Sequence, residues 1–129
     1  MAGPLVLYYN LDARTEARLK SLCQKQHLRC RGVLPQERAL PIGALAGIPV
    51  SIPPADEPPL PFGEPMLVMC NMLNTHLSLF LQGMRESGLP RIPLKAVLTP
   101  SNVTWNSRQL RDELTREHEA VQRGAKPEG

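Results

Sequence analysis

Two short runs constrain this chain more than anything else in it: Leu5-Val6-Leu7-Tyr8-Tyr9 and Met66-Leu67-Val68-Met69-Cys70, each wholly apolar and each closed by an asparagine, Asn10 or Asn71. Five residues is strand length, and a strand without polar alternation has to be covered on both faces. The runs therefore predict the two central strands of a sheet flanked by helices on both sides.

The flanking segments supply the rest of the elements. Asp12 or Thr15 is placed to cap a helix carrying Leu19, Leu22, Cys23 and Gln26 on one side, and Leu28 to Leu34, interrupted by Arg29 and Arg31, reads as a half-exposed edge strand. Asn71 or Asn74 is expected to cap a second helix with Leu73, Leu77, Phe80, Leu81 and Met84 at helical spacing, stopped by Gly88. Leu94 to Leu98 follows as another edge strand. Asn106 and Gln109 form a capping-box pattern that opens a last helix with Leu110, Leu114 and Val121. The order β-α-β-connection-β-α-β-α predicts an α/β fold: a four-stranded, mostly parallel sheet of order 2-1-3-4 with helices on both faces. The alternative is a ferredoxin-like βαββαβ sheet of order 4-1-3-2 plus a C-terminal helix. Burial of both central runs favours the parallel arrangement.

Residues 1–124 read as one domain and 125–129 as a flexible tail. From Pro35 to Pro65, nine prolines fix φ and remove donors too often for regular structure, so this stretch is a connection inside that domain. Ile42 to Ile48 is expected to dock as a single helical turn, and Asp56, Glu57 and Glu64 to lie in an exposed loop. A connection this long is either functional or partly disordered.

Composition narrows the function classes. Aromatic residues are 4% of the chain, too few to build stacking platforms for single-stranded nucleic acid, and the net charge of +3 comes from dispersed Lys and Arg. The densest basic stretch, Arg14 to Arg31, alternates with Leu19, Leu22 and Cys23 as the solvated face of a helix would. Nucleic acid is not the expected partner. Three cysteines, Cys23, Cys30 and Cys70, without CxxC or Cys/His spacing indicate reduced thiols rather than a disulfide or zinc framework. No run approaches the roughly 18 apolar residues of a membrane span, and the first residues lack a basic region before an apolar one; a cytoplasmic chain is expected.

Pro65 to Cys70, Pro93-Leu94-Lys95-Ala96-Val97-Leu98-Thr99-Pro100-Ser101-Asn102, Trp105 and Glu117-His118-Glu119 together resemble an uncharacterised bacterial domain-of-unknown-function family of small hypothetical proteins. The resemblance extends over nearly the full length, including the first strand end and Gly43 to Gly47. It implies no catalytic residue. Asn71-Met72 stands where Gly-Phe would be expected in such proteins, so any binding at that turn would have different chemistry here.

In an open parallel sheet, ligands bind beyond the carboxyl ends of the strands, where strand order reverses. That rule gathers Asn10, Asp12, Asn71, Thr99, Ser101 and Asn102 on one edge, with Trp105, the single tryptophan, either roofing a pocket or packing as a staple before the last helix. Asn, Ser and Thr are also what caps and turns require, and the ferredoxin-like alternative removes the convergence. His27, His76 and His118 lie in different elements, so no metal site is expected. There is no GxGxxG, Walker, GxSxG or HExxH motif, and neither catalytic machinery nor a cofactor is expected. The leading reading is a non-catalytic regulatory, ligand-sensing or protein-interaction module that takes a small anionic ligand or a protein. A second reading is a small enzyme with Asp12 as general base and Thr99 to Asn102 holding a phosphate or carboxylate. A third is a homo-oligomer joined through Leu40 to Ile52.

Overall fold

The computed structural model describes residues 3–50 and 60–122. Expectations for Asp56, Glu57, the last part of the Leu40 to Ile52 stretch and the tail from Gly124 fall outside the described residues. In chain order the elements are β1 (Leu5–Tyr9), α1 (Ala13–Lys25), β2 (Arg29–Gly32), a single 3-10 turn at Pro35–Glu37, α2 (Ile42–Leu45), β3 (Met66–Cys70), α3 (Asn74–Glu86), β4 (Leu94–Val97) and α4 (Ser107–Gln122). The sheet has the order β2-β1-β3-β4, as the apolar runs predict, with both central strands buried along their length.

Successive strand residues face opposite sides, which sorts the core into two layers. Val6, Tyr8, Leu67 and Met69 pack against Leu19, Leu22 and Cys23 of α1 and Phe80 and Met84 of α3. Leu5, Leu7, Tyr9, Met66, Val68 and Cys70 pack against Ile42 and Leu45 of α2 and Leu110 of α4. Leu45 is thus consumed in the chain's own core, which removes it from the exposed oligomer contact envisaged for Leu40 to Ile52.

β1 pairs with β2, and β3 with β4, in parallel, but β1 and β3 pair antiparallel. The cause is the way the proline-rich connection returns. Asn10 Nδ2 donates to the carbonyls of Phe62 (3.0 Å) and Glu64 (2.9 Å), holding the approach to β3 beside the end of β1, so β3 sets off where β1 finishes. Arg38 reinforces the tie, its guanidinium reaching Asn10 Oδ1 at 2.8 Å and Phe62 O at 3.2 Å, and lying over the rings of Tyr9 and Phe62. Helices on both faces bury the central strands whatever their direction, which is why apolar runs alone do not reveal it.

The antiparallel centre exposes an internal repeat. A constant shift of 61 positions carries β1 onto β3 and α1 onto α3, and carries the left-handed Asn10 (φ 59°) onto Asn71 (φ 58°) and His27 (φ 58°) onto Gly88 (φ 69°). After a four-residue insertion the shift becomes 65, carrying β2 onto β4 and the whole of α2 onto the first turn of α4, Ser107–Leu110. Bonds repeat too: Val33 N–H donates to Tyr8 O as Leu98 N–H does to Met69 O, and the Leu34 N–H to Glu37 Oε1 bond recurs as Thr99 N–H to Asn102 Oδ1. In the β1–β3 ladder Leu5↔Cys70 and Tyr9↔Met66 are images of each other, and Leu7↔Val68 pairs a residue with its own counterpart. A pseudo-two-fold axis therefore passes through Leu7 and Val68. It also passes between α1 and α3, where a Cβ on Gly83 would lie 2.7 Å from Leu22, the residue Gly83 corresponds to.

Candidate functional site

The antiparallel centre divides the sequence-derived site into two ends of the sheet. At the end of β1 stand Asn10 and Asp12, with Arg38 and the approach to β3. At the far end stand Asn71, after β3, and Thr99, Ser101 and Asn102, after β4, which runs parallel to β3. The expected convergence of all six on one edge does not form. About 15 Å, the length of a five-residue strand, lies between the two ends.

At the first end the polar side chains are engaged locally. Asp12 is the α1 N-cap, its Oδ1 accepting from Thr15 N–H at 2.7 Å. That bond holds the exposed Asp12 carboxyl below the usual carboxylate range. A depressed native pKa contributes stability that is present above the ordinary Asp range, near pH 3.9, and lost as pH falls through the native value. Asp12→Asn should therefore flatten the acid limb of a plot of melting temperature against pH while leaving the neutral fold intact, as thermal denaturation between pH 2 and 7 would show.

At the second end, Thr99 to Asn102 closes on itself. Asn102 is buried; its Oδ1 accepts from Thr99 N–H (2.9 Å) and its Nδ2 donates to Val97 O (3.1 Å), while Thr99 Oγ1 accepts from Asn102 N–H (3.3 Å). Ser101 is exposed, and Asn71 Nδ2 reaches Gly3 O only at 3.5 Å. Trp105 packs on the core beside α2, its carbonyl accepting from Ile42 N–H at 2.8 Å, and it precedes the reciprocal Asn106–Gln109 capping box, with both bonds at 2.9 Å. Trp105 thus stands directly before the cap, the position a staple residue takes, and is partly buried against the core. The α3 N-cap is Leu73, not Asn71 or Asn74, and makes no side-chain cap bond. Asn102→Ala removes two part-buried hydrogen bonds that close the turn, to Thr99 N–H and Val97 O, and should cost about 1 kcal/mol of unfolding free energy, measured by denaturant titration.

Other reactive groups are similarly occupied. Burial pushes the Cys23 and Cys70 thiols up to about 12, which keeps them protonated at neutral pH. Burial likewise raises Tyr9 to about 12, against the opposing effects of its 2.7 Å hydrogen bond with Ser107 Oγ and of nearby Arg38. Among the described residues no three His, Cys, Asp or Glu side chains group as metal ligands. Arg111 pairs with Glu64 and Asp112, and Arg108 with Asp112 (2.7 Å), fastening α4 to the start of β3. No helix of the described residues is long and apolar enough to cross a membrane.

Among the described residues a groove of about 680 Å³, which the residues alone did not suggest, lies over β2, lined by Leu5, Arg29, Arg31, Ala44, Leu45 and Gly47 among others. Arg31 Nη1 donates to Leu45 O (2.9 Å) and the guanidinium pairs with Glu37, while Arg29 Nη2 donates to Gly3 O (3.2 Å). The legible signal was the pair of arginines two apart on a strand: alternation puts both on one face of the sheet, where a core-facing strand would carry apolar residues. A second hollow of about 430 Å³ lies beside Leu81, Met84 and Ile92, rimmed by Arg85, Arg91 and Lys95.

A family model described as a domain of unknown function (DUF3783) matches residues 65–121. The match coincides with the second structural unit, β3 through α4, rather than with nearly the whole length. No curated protein and no solved structure matches the chain.

Proposed function

We propose that this chain is a non-catalytic regulatory or interaction module that holds a small anion or a protein partner against its surface. One observation carries the reading: Asn10, Asp12, Thr99 and Asn102 are tied into caps, turns and loop contacts, whereas the groove over β2 has two arginines, Arg29 and Arg31, in its lining. Asp12, Asn10 and Asn102 are structural in this reading. The enzyme reading requires Asp12 and the Thr99 to Asn102 turn around one substrate, and the strand-length separation between them argues against it.

The test is a thermal-shift screen of nucleotides, sugar phosphates and carboxylic acids, with mass spectrometry of each incubated compound alongside affinity capture of protein partners. A ligand at one hundred times its Kd adds about 2.7 kcal/mol, a rise of several degrees. The expected result is a bound compound or partner with no compound consumed. Consumption of a compound that Asp12→Asn abolishes would establish the enzyme reading instead.

A further inference from the structure

We infer that Cys23 and Cys30 form an oxidisable dithiol, a modification site at which hydrogen peroxide closes an intramolecular disulfide between α1 and β2.

The fold brings the two thiols together across one reversal of the chain. Cys23 lies in the last turn of α1 on its buried side, and Cys30 lies on β2, opposite Val6 in the ladder. Alternation along β2 turns Cys30 away from the face of Arg29 and Arg31 and toward the layer that α1 covers, where it packs with Cys23 in one core cluster. Between them the chain reverses through left-handed His27 (φ 58°), and Leu28 N–H donates to Cys23 O at 2.8 Å. Cys30 follows two residues later, and the two thiols share a hydrogen bond. The Tyr8 hydroxyl of β1 lies within electrostatic reach of both. Cys70 belongs to the other core layer, so the sheet separates it from the pair. The repeat carries Cys23 onto Met84 and Cys30 onto Lys95, so the dithiol belongs to the first unit alone.

The two thiols differ in access, which orders the chemistry. Cys30 is half-buried and Cys23 is fully buried, so an oxidant meets Cys30 first. The Cys30 thiolate attacks one oxygen of hydrogen peroxide and the O–O bond breaks. Cys30 becomes a sulfenic acid, and the departing hydroxide takes up the proton the thiol released, giving water. The Cys23 sulfur then attacks the Cys30 sulfur, the S–O bond breaks, and the leaving hydroxide takes the Cys23 proton as a second water. Two thiols are oxidised to one disulfide, and one peroxide is reduced to two waters. The bond brings the sulfurs to about 2.05 Å. β2 is an edge strand, bonded to the sheet on one side only, so it has the freedom to close that gap. The closed disulfide fastens the end of α1 to the sheet edge.

The test is hydrogen peroxide, one molar equivalent, added to the reduced full chain. The expected product is a monomer lighter by two hydrogens that retains one of its three thiols, on Cys70, and is restored by dithiothreitol. Its tryptic digest should join the peptide Ser21 to Lys25 to the dipeptide Cys30-Arg31. Cys23→Ala keeps a small apolar side chain in the core and removes the resolving thiol, so dimedone should capture Cys30 sulfenic acid roughly tenfold or more above the unsubstituted chain. In Cys30→Ser, Cys23 should remain a thiol. A disulfide between two chains, a bond to Cys70, or survival of all three thiols in the unsubstituted chain would each overturn the proposal.

Discussion

Phe80→Ala is expected to lower the unfolding free energy by about 3–5 kcal/mol, a large share of the stability of a chain this size. Phe80 is fully buried between α3 and the sheet, against Leu67, Met69 and the α1 residues Leu19 and Leu22. Truncation leaves a cavity at the junction of three elements that cannot all close in on it. Phe80 corresponds to Leu19, so Phe80→Leu places at one position the residue its counterpart already uses, and should cost less than about 2 kcal/mol. Urea titration of the two variants reads the difference directly.

Gly43→Val is expected to cost roughly 3 kcal/mol and to unseat α2. A Cβ at Gly43 would lie 2.3 Å from Val103 Cγ2 and 2.9 Å from the Val103 carbonyl, which accepts the Gly43 N–H at 2.9 Å. A side chain can rotate away, but the carbonyl is fixed by the turn after β4. Denaturant titration reads the loss. Gly43→Ala, with no branch to accommodate, should be milder.

These positions show how far the residues speak for themselves. The strand runs, the Asp12 cap, the one-turn α2, the Gly88 stop and the Asn106–Gln109 box were all legible, because each depends on a local rule of spacing or capping. Burial of the two runs made it legible that β1 and β3 are the central strands, as both expected orders require; it did not decide between those orders. The direction of β3 was not, because it is set by Asn10 and Arg38 gripping Phe62 and Glu64, partners more than 20 residues away. That single long-range tie separates Asn10 and Asp12 from Asn71 and Thr99 to Asn102, so the site read from an all-parallel sheet does not assemble.

The repeat was equally hidden. Of the corresponding positions from Leu5 to Leu45, only Asn10/Asn71, Leu28/Leu89, Pro35/Pro100 and Leu45/Leu110 carry the same residue. Three of these have structural duties that restrict choice: a left-handed strand end, a turn-opening proline and a helix residue buried in the core. Elsewhere any apolar side chain of fitting volume serves, so Leu19 answers to Phe80 and Cys23 to Met84. Leu73 and Val121, placed on apolar faces by spacing, are 68% and 56% exposed, because spacing ranks a helix face without showing where its neighbours end.

The scattering of the polar residues follows from two matched units turned about one axis. The most direct test is the reciprocal exchange at that axis, Leu22→Gly with Gly83→Leu. Singly, Leu22→Gly removes a buried side chain and adds a helical glycine, for a cost of about 3–6 kcal/mol, and Gly83→Leu crowds two leucines, for about 1–3 kcal/mol. Related by the axis, the double variant rebuilds the same contact from the opposite helix. Denaturant titration of the four proteins should find the double variant more stable than the sum of the single losses by about 2 kcal/mol or more. Losses that add to within about 0.5 kcal/mol would contradict the pairing of the two units.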